Sequence, residues 1–220
     1  MNDIEIEKLH EKLDDYVKEQ NKEWKSFVYA KDNGFYQGFE EIGIKGCRST
    51  EKRFKNYEIE KYLSNNSRVL DIGCNCGFFT IFTSRFVKEA VGVEINPYLL
   101  KIANETKDFL NVKNTKFIES SFEDFIPEKK FEIIFSLAND ETIDGNTKFT
   151  FLEYISKVND ILADKGILIF ETMAQDTFEP KLFFPKLEIL KKKFTILDDK
   201  MIESEYPINV KQRRVLILKK

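Results

Sequence analysis

The stretch from Arg68 to Thr80, Arg-Val-Leu-Asp-Ile-Gly-Cys-Asn-Cys-Gly-Phe-Phe-Thr, limits the fold more than any other part of this chain. Val69, Leu70 and Ile72 make an apolar run that reads as a buried strand. Gly73 and Gly77 then let the backbone approach something that a Cβ would hold away. The chain continues into a helix whose first N–H groups face the same point. A strand, a glycine turn and a helix start in that order place a ligand at the carboxyl end of a parallel strand.

The turn narrows the ligand by what it lacks. A phosphate loop would end in Gly-Lys-Ser or Gly-Lys-Thr, and a dinucleotide turn would read G-x-G-x-x-G. Here the spacing is Gly73-x-x-x-Gly77, with Asp71 on the strand before it. Glu94 closes the next strand-like run, residues 90–94. An acid at that strand tip can accept hydrogen bonds from both ribose hydroxyls. Together these features suit a nucleoside ligand without a pyrophosphate.

At these residues the chain resembles a known family. Asp71-Ile-Gly-Cys-Asn-Cys-Gly77 with Glu94 is similar to the S-adenosylmethionine site of class I methyltransferases, a likeness that runs from about Arg68 to the C-terminus. A shorter stretch, Gly43-Ile-Lys-Gly-Cys-Arg-Ser-Thr-Glu-Lys-Arg53, resembles a segment ahead of the core in bacterial methyltransferases related to the tRNA wobble-uridine carboxymethyltransferases.

The resemblance implies S-adenosylmethionine as cofactor, held by Asp71, Gly73, Asn75, Gly77, Phe78 and Glu94. It implies Ser121 and Phe122 at the adenine, with Glu119 or Glu123 at its amino group, and Ser136 and Asn139 near the methionine part. Related enzymes often carry histidines after the fourth strand, where this chain has Asp140 and Glu141. Those two acids are therefore the expected catalytic groups, with Glu171 as the substitute if a base is used. His10, the sole histidine, falls on an N-terminal helix and reads as a surface residue. For the acceptor the expected contacts are Tyr36, Arg48 and Lys52. Lys45, Arg48, Lys52 and Arg53 form a basic cluster, which suits an anion or a solvated helix face equally. Tyr29, Phe35, Tyr36 and Phe39 suit an aromatic lid or the packing of an N-terminal extension.

Composition bounds the remaining readings. The chain has 220 residues, 42% apolar and 33% charged, which suits one soluble globular domain with an extension. A net charge of −3 argues against a surface coated for nucleic acid, though not against a local basic patch. No signal peptide or membrane span is apparent, and Cys47, Cys74 and Cys76 suit neither a disulfide framework nor a zinc site, so a cytoplasmic protein with reduced thiols and no metal is expected.

Periodicity predicts a helical cap over residues 1–62 and a core over 63–220. The cap reads as a helix containing Ile6, Leu9, Leu13 and Val17, a second short helix around Trp24 and Phe27, an irregular glycine-rich stretch and a helix from Ser49 or Thr50 to about Tyr62. In the core, strands at 67–72, 90–94, 115–119, 131–136 and 166–171 alternate with helices at about 77–86, 97–110, 147–162 and 183–193. That order predicts an α/β, Rossmann-like seven-stranded sheet, mostly parallel. The last strands, 194–202 and 208–218, are joined by a turn too short for a parallel crossover, so they should form an antiparallel hairpin. The expected function is methyl transfer to a small-molecule or nucleotide-sized acceptor. The alternatives are a tRNA-modifying transferase, a nicotinamide-dependent oxidoreductase or a non-catalytic cofactor-binding subunit.

Overall fold

The computed structural model describes residues 3–28, 34–141, 147–207 and 209–220. Tyr29, one of the lid aromatics, lies outside them. A seven-stranded sheet organises the core in the order β5-β4-β3-β6-β7-β9-β8. Its strands are β3 (Arg68–Ile72), β4 (Glu89–Glu94), β5 (Thr115–Glu119), β6 (Phe131–Leu137), β7 (Leu162–Glu171), β8 (Thr195–Glu203) and β9 (Gln212–Lys219). The first five are parallel, while β9 runs antiparallel to both β7 and β8. The terminal hairpin and the α/β sheet are thus as expected from the alternation.

Helices cover both faces. On one, Tyr154, Ile155 and Val158 of α5 (Phe151–Ile161) and Phe183 and Leu190 of α7 (Pro180–Lys193) bury Leu70, Ile134 and Leu168. On the other, Phe54 and Tyr57 of α2 (Thr50–Tyr57) and Phe79 of α3 (Phe78–Thr83) bury Val69, Phe135 and Val215. Thr150 and Glu153 start α5 with a reciprocal capping box, and Pro97 occupies the first turn of α4 (Pro97–Phe109). A five-residue α6 (Ala174–Phe178), unforeseen, precedes α7.

The cap is built differently from its prediction. A single helix α1 (Asp3–Glu23) accounts for its first part, and Trp24 and Phe27 follow it in non-helical backbone rather than in a second helix. The glycine-rich stretch is ordered: β1 (Gln37–Gly38) pairs in parallel with β2 (Arg48–Ser49). Gly46 makes that pairing possible, since a Cβ there would lie 2.3 Å from the Gln37 carbonyl carbon. α2 ends at Tyr57, short of the expected Tyr62, because Glu58 turns left-handed and closes it. Leu9, Leu13, Phe35, Phe39 and Ile42 of the cap pack on Phe78, Ile81 and Ile102 of α3 and α4, so cap and core share one buried cluster.

Candidate functional site

One cavity opens at the carboxyl ends of β3, β4 and β6, where the strand order reverses. Asp71, Gly73, Asn75, Glu94, Ser121, Phe122 and Asn139 all line it, together with Tyr36 from the cap. The remaining expected cofactor residues, Gly77, Phe78 and Ser136, do not line it. Gly77 is filled from behind by Phe117 and Ala103, Phe78 is fully buried against Phe35 and Phe39, and Ser136 is buried under Asn139.

The glycine turn is held at several points. Gly73 at φ +63 and Gly77 at φ +70 take left-handed conformations that a Cβ would strain, and Asn75 takes one as well. Glu94, at the tip of β4, fastens the turn: its Oε2 accepts the Asn75 N–H at 3.0 Å, and its Oε1 accepts those of Ile95 at 2.8 Å and Asn96 at 3.0 Å. Asp71 accepts the Thr80 hydroxyl at 2.6 Å and so ties β3 to α3. Burial pushes the Asp71 carboxyl up to about 6, against the opposing pull of Thr80 and Arg53. The Asn75 Oδ1 is buried and has no partner among the described residues. An orphaned acceptor beside a left-handed glycine, above a strand-tip carboxylate, fits a nucleoside with hydrogen-bond donors.

Asn139 reaches from the end of β6 to donate to the Ile72 carbonyl, and it lies 3.2 Å from where a Gly73 Cβ would be. Ser136 and Tyr154 hydroxyls both donate to its Oδ1, at 3.0 and 2.9 Å. Ala138, beside it in the cavity wall, has φ +60, an uncommon conformation for a residue with a Cβ. Ser121 bonds Asp124, and Glu123 accepts the N–H groups of Lys148 and Phe149.

The acids following β6 lie behind the cavity wall. Asp140 is fully buried, with the Lys186 ammonium 2.8 Å from its Oδ2, and Glu141 and Asp176 contact the same ammonium at 3.1 Å. Burial raises the Asp140 carboxyl to about 6 despite Lys186. Neither Asp140 nor Glu141 lines the cavity. His10 donates to or accepts from nothing there; its Nε2 sits 2.6 Å from the Ile42 carbonyl.

Of the three expected acceptor contacts, only Tyr36 reaches this cavity. Arg48 is buried and donates both terminal nitrogens to Glu171, at 2.6 and 3.2 Å. Tyr57 donates to the same carboxylate at 2.7 Å. Burial alone would raise the Glu171 pKa, but Arg48 and then Arg53 outweigh it and hold it at about 2. A carboxylate so firmly ionised does not serve as a base near neutral pH. Lys52 is exposed and pairs with Glu205 at 2.6 Å, beside a second cleft on the outer side of α2.

Sequence reasoning missed Gln37, which the cap inserts behind the glycine turn. Its Nε2 donates to the Cys74 carbonyl at 3.1 Å, and its Oε1 accepts the Phe78 N–H, the first of α3, at 3.0 Å. The contact joins residues 41 apart in sequence, and no local pattern announces it. In Gln37→Leu, Cys74 O keeps its bond from Gly77, but the buried Phe78 N–H loses the side-chain acceptor it has among the described residues. We expect about 1–3 kcal/mol lower stability, read by chemical denaturation, with weaker binding of the demethylated cofactor product. Stability within a few tenths of wild type would remove this role.

A family model described as a methyltransferase domain matches residues 63–212. The 23S rRNA (uracil(1939)-C(5))-methyltransferase RlmD of Francisella tularensis subsp. novicida is 36% identical over 70 residues, 31% of this chain and 16% of the relative. The ribosomal protein L11 methyltransferase of Acetivibrio thermocellus is 23% identical over 111 residues, 50% of this chain and 34% of the relative. The match thus spans about a third of the length of one of these curated relatives and about a sixth of the other. Among solved structures, the N-methyltransferase NodS of Bradyrhizobium japonicum in complex with S-adenosyl-L-homocysteine superposes with a TM-score of 0.62 at 14% identity, covering 96% of this chain and 98% of NodS.

Proposed function

We propose that this chain, which belongs to the methyltransferase domain family, is an S-adenosylmethionine-dependent methyltransferase whose acceptor is a small or nucleotide-sized molecule admitted beneath the N-terminal cap. One observation carries the acceptor reading: Val17, Gln20, Trp24, Tyr36 and Gln37 of the cap line the same cavity as Asp71, Gly73, Glu94 and Phe122 of the core. A roofed cavity favours an acceptor that enters whole over a polymer that must be threaded.

The bound cofactor supplies an electrophilic methyl group, and the protein's part is chiefly to align donor and acceptor. In this reading Glu94 holds the ribose, Asn75 and the glycine turn face the nucleoside, and Phe122 covers the base. Asp140 and Glu141 hold the chain after β6 through Lys186 and leave the acceptor to the cap side. Incubation with radiolabelled S-adenosylmethionine should place label in an ultrafiltered low-molecular-mass extract. Label appearing only in macromolecules would overturn the acceptor reading.

The second reading, a tRNA substrate, is motivated by the stretch from Lys45 to Arg53. Two of its four cations, Arg48 and Arg53, are buried, and Lys52 is paired with Glu205, which leaves little free positive surface for a phosphate backbone. If tRNA is bound, its affinity should fall steeply with salt.

Glu94→Gln provides a direct check on the nucleoside side. The amide places a donor against three backbone N–H groups or against the ribose. We expect calorimetry to show S-adenosylhomocysteine binding about ten- to a hundredfold weaker, the equivalent of losing one charged hydrogen bond or two. Equal affinity would remove Glu94 from the site.

A further inference from the structure

The second cleft, on the outer side of α2, is lined by Arg48, Lys52, Arg53, Lys55, Asn56, Glu203 and Glu205. Its donors are engaged unequally. Arg48 is spent on Glu171, to which it gives both terminal nitrogens. Lys52 pairs with Glu205 at 2.6 Å, but both side chains are largely in water, so a stronger anion displaces that contact at little cost. The side chains of Lys55 and Asn56 have no partner among the described residues.

Arg53 is the buried member of the set. Its Nε donates to the Tyr57 hydroxyl at 3.0 Å, while neither terminal nitrogen makes a hydrogen bond among the described residues, and Nη2 stands 3.6 Å from Glu171. The Tyr57 and Phe79 ring centroids lie 5.6 and 5.1 Å from its guanidinium carbon. Those rings attract the charge but do not take up the in-plane N–H groups. At 6% exposure, an unfilled guanidinium fork demands an acceptor from a cleft that the residue lines.

Arg53 lines two clefts, and their charges differ. In the cavity at the strand ends, Asp71 lies within electrostatic reach and opposes a second anion. On the outer side, Lys52, Lys55 and Asn56 add donors to the fork. Glu171 offsets Arg48 there and Glu205 offsets Lys52, so Arg53 and Lys55 together outweigh Glu203. A carboxylate has too few oxygens for these donors, whereas a phosphate group presents oxygens on several sides.

We infer that the outer cleft binds a phosphate group, with buried Arg53 at its floor, exposed Lys52 and Lys55 at its rim and Asn56 as a neutral donor. The inference goes beyond the methyl-transfer reading and does not depend on it. A cleft of this kind holds a single oxyanion, unlike a nucleic-acid backbone, which is held at many phosphates. Because Arg53 is a wall of both clefts, the bound anion sits one side chain away from the cavity at the strand ends.

Equilibrium dialysis with radiolabelled inorganic phosphate, at an ionic strength fixed with chloride, tests the site directly. The wild type should bind phosphate saturably. Lys55→Ala should weaken binding about tenfold, the loss of one charge-assisted hydrogen bond, and Lys55→Glu should abolish it. Lys113→Ala, at an exposed lysine outside the cleft, should leave it unchanged. Lys55 is exposed as well, so its variants probe the site without disturbing the core. Competition by uridine 5′-monophosphate separates two sources of the group. Competition no better than that of inorganic phosphate identifies a free anion, and tighter competition that Lys55→Glu removes identifies a phosphate monoester; either supports the site. Equal competition by acetate, or equal losses in Lys55→Ala and Lys113→Ala, would overturn it. So would the absence of saturable phosphate binding, even if Lys55→Glu weakened the binding of tRNA.

Discussion

Replacing Glu171 by alanine is expected to lower stability by about 3–5 kcal/mol, the cost of leaving buried cations without their counter-charge. Glu171 is fully buried at the end of β7, and Arg48, Arg53 and Tyr57 all converge on it. Arg48 comes from β2 and Arg53 from α2, so this one carboxylate fastens the cap to the sheet across 123 residues of sequence. Denaturation by urea, followed by circular dichroism, would measure the loss. A change below about 1 kcal/mol would mean that the arginines find other partners. Glu171→Gln should be milder, because the amide oxygen can still accept from Tyr57 or Arg48.

The same residue sets the acid limit of the fold. Its folded-state pKa, about 2, lies below the ordinary 4.5, so its stabilisation is present in full above pH 4.5 and is lost as pH falls toward 2. Asp71 and Asp140 act in the opposite sense. Their carboxyls sit at about 6 against an ordinary 3.8, so the folded state takes up those protons first and acidification from 7 to 4.5 does not weaken it on their account. Stability should hold to about pH 4.5 and then fall. A main loss centred near pH 6 would contradict this assignment.

Gly77→Ala is the second large effect. At φ +70 an added Cβ strains the backbone by about 1–2 kcal/mol. It would also lie 2.5 and 2.6 Å from Phe117 ring atoms and 2.8 Å from the Ala103 Cβ. The Phe117 ring packs against the cluster between cap and core, and the Ala103 Cβ, fixed directly to the backbone of α4, cannot rotate away. Overpacking adds about 1–3 kcal/mol. Calorimetry should show S-adenosylhomocysteine binding weakened more than about a hundredfold, together with a lower thermal midpoint. Gly73→Ala should cost less at the same strained φ, since its nearest contact is the Asn139 amide at 3.2 Å. Near-wild-type binding by Gly77→Ala would show that the turn tolerates a second path.

Local pattern made some of this legible. Gly73, Gly77, Asp71 and Glu94 stood out because the ligand-cradling turn and the following strand tip are continuous or nearly continuous segments with their own steric signature. Gln37 acts through partners 37 and 41 residues away, so nothing next to it in sequence marks what it does. The basic stretch Lys45–Arg53 looked uniform by composition. Folding divides it: Arg48 neutralises Glu171, Arg53 lines the cavity at the carboxyl ends of β3, β4 and β6, and Lys45 and Lys52 stay in water. The acids after β6 looked like candidates for proton transfer, and only the depth of Asp140 and the reach of Lys186 from α7, which meets the exposed Glu141 as well, show how they are tied.

By itself the sequence determined the alternating α/β order, the closing hairpin and the glycine turn that closes β3. These follow from periodicity and from backbone conformations that few residues other than glycine adopt readily. The tertiary structure alone decided which charges are exposed and which are buried against one another. Charge pairing depends on distance through space, and here the buried pairs that matter join the cap to a strand more than a hundred residues away.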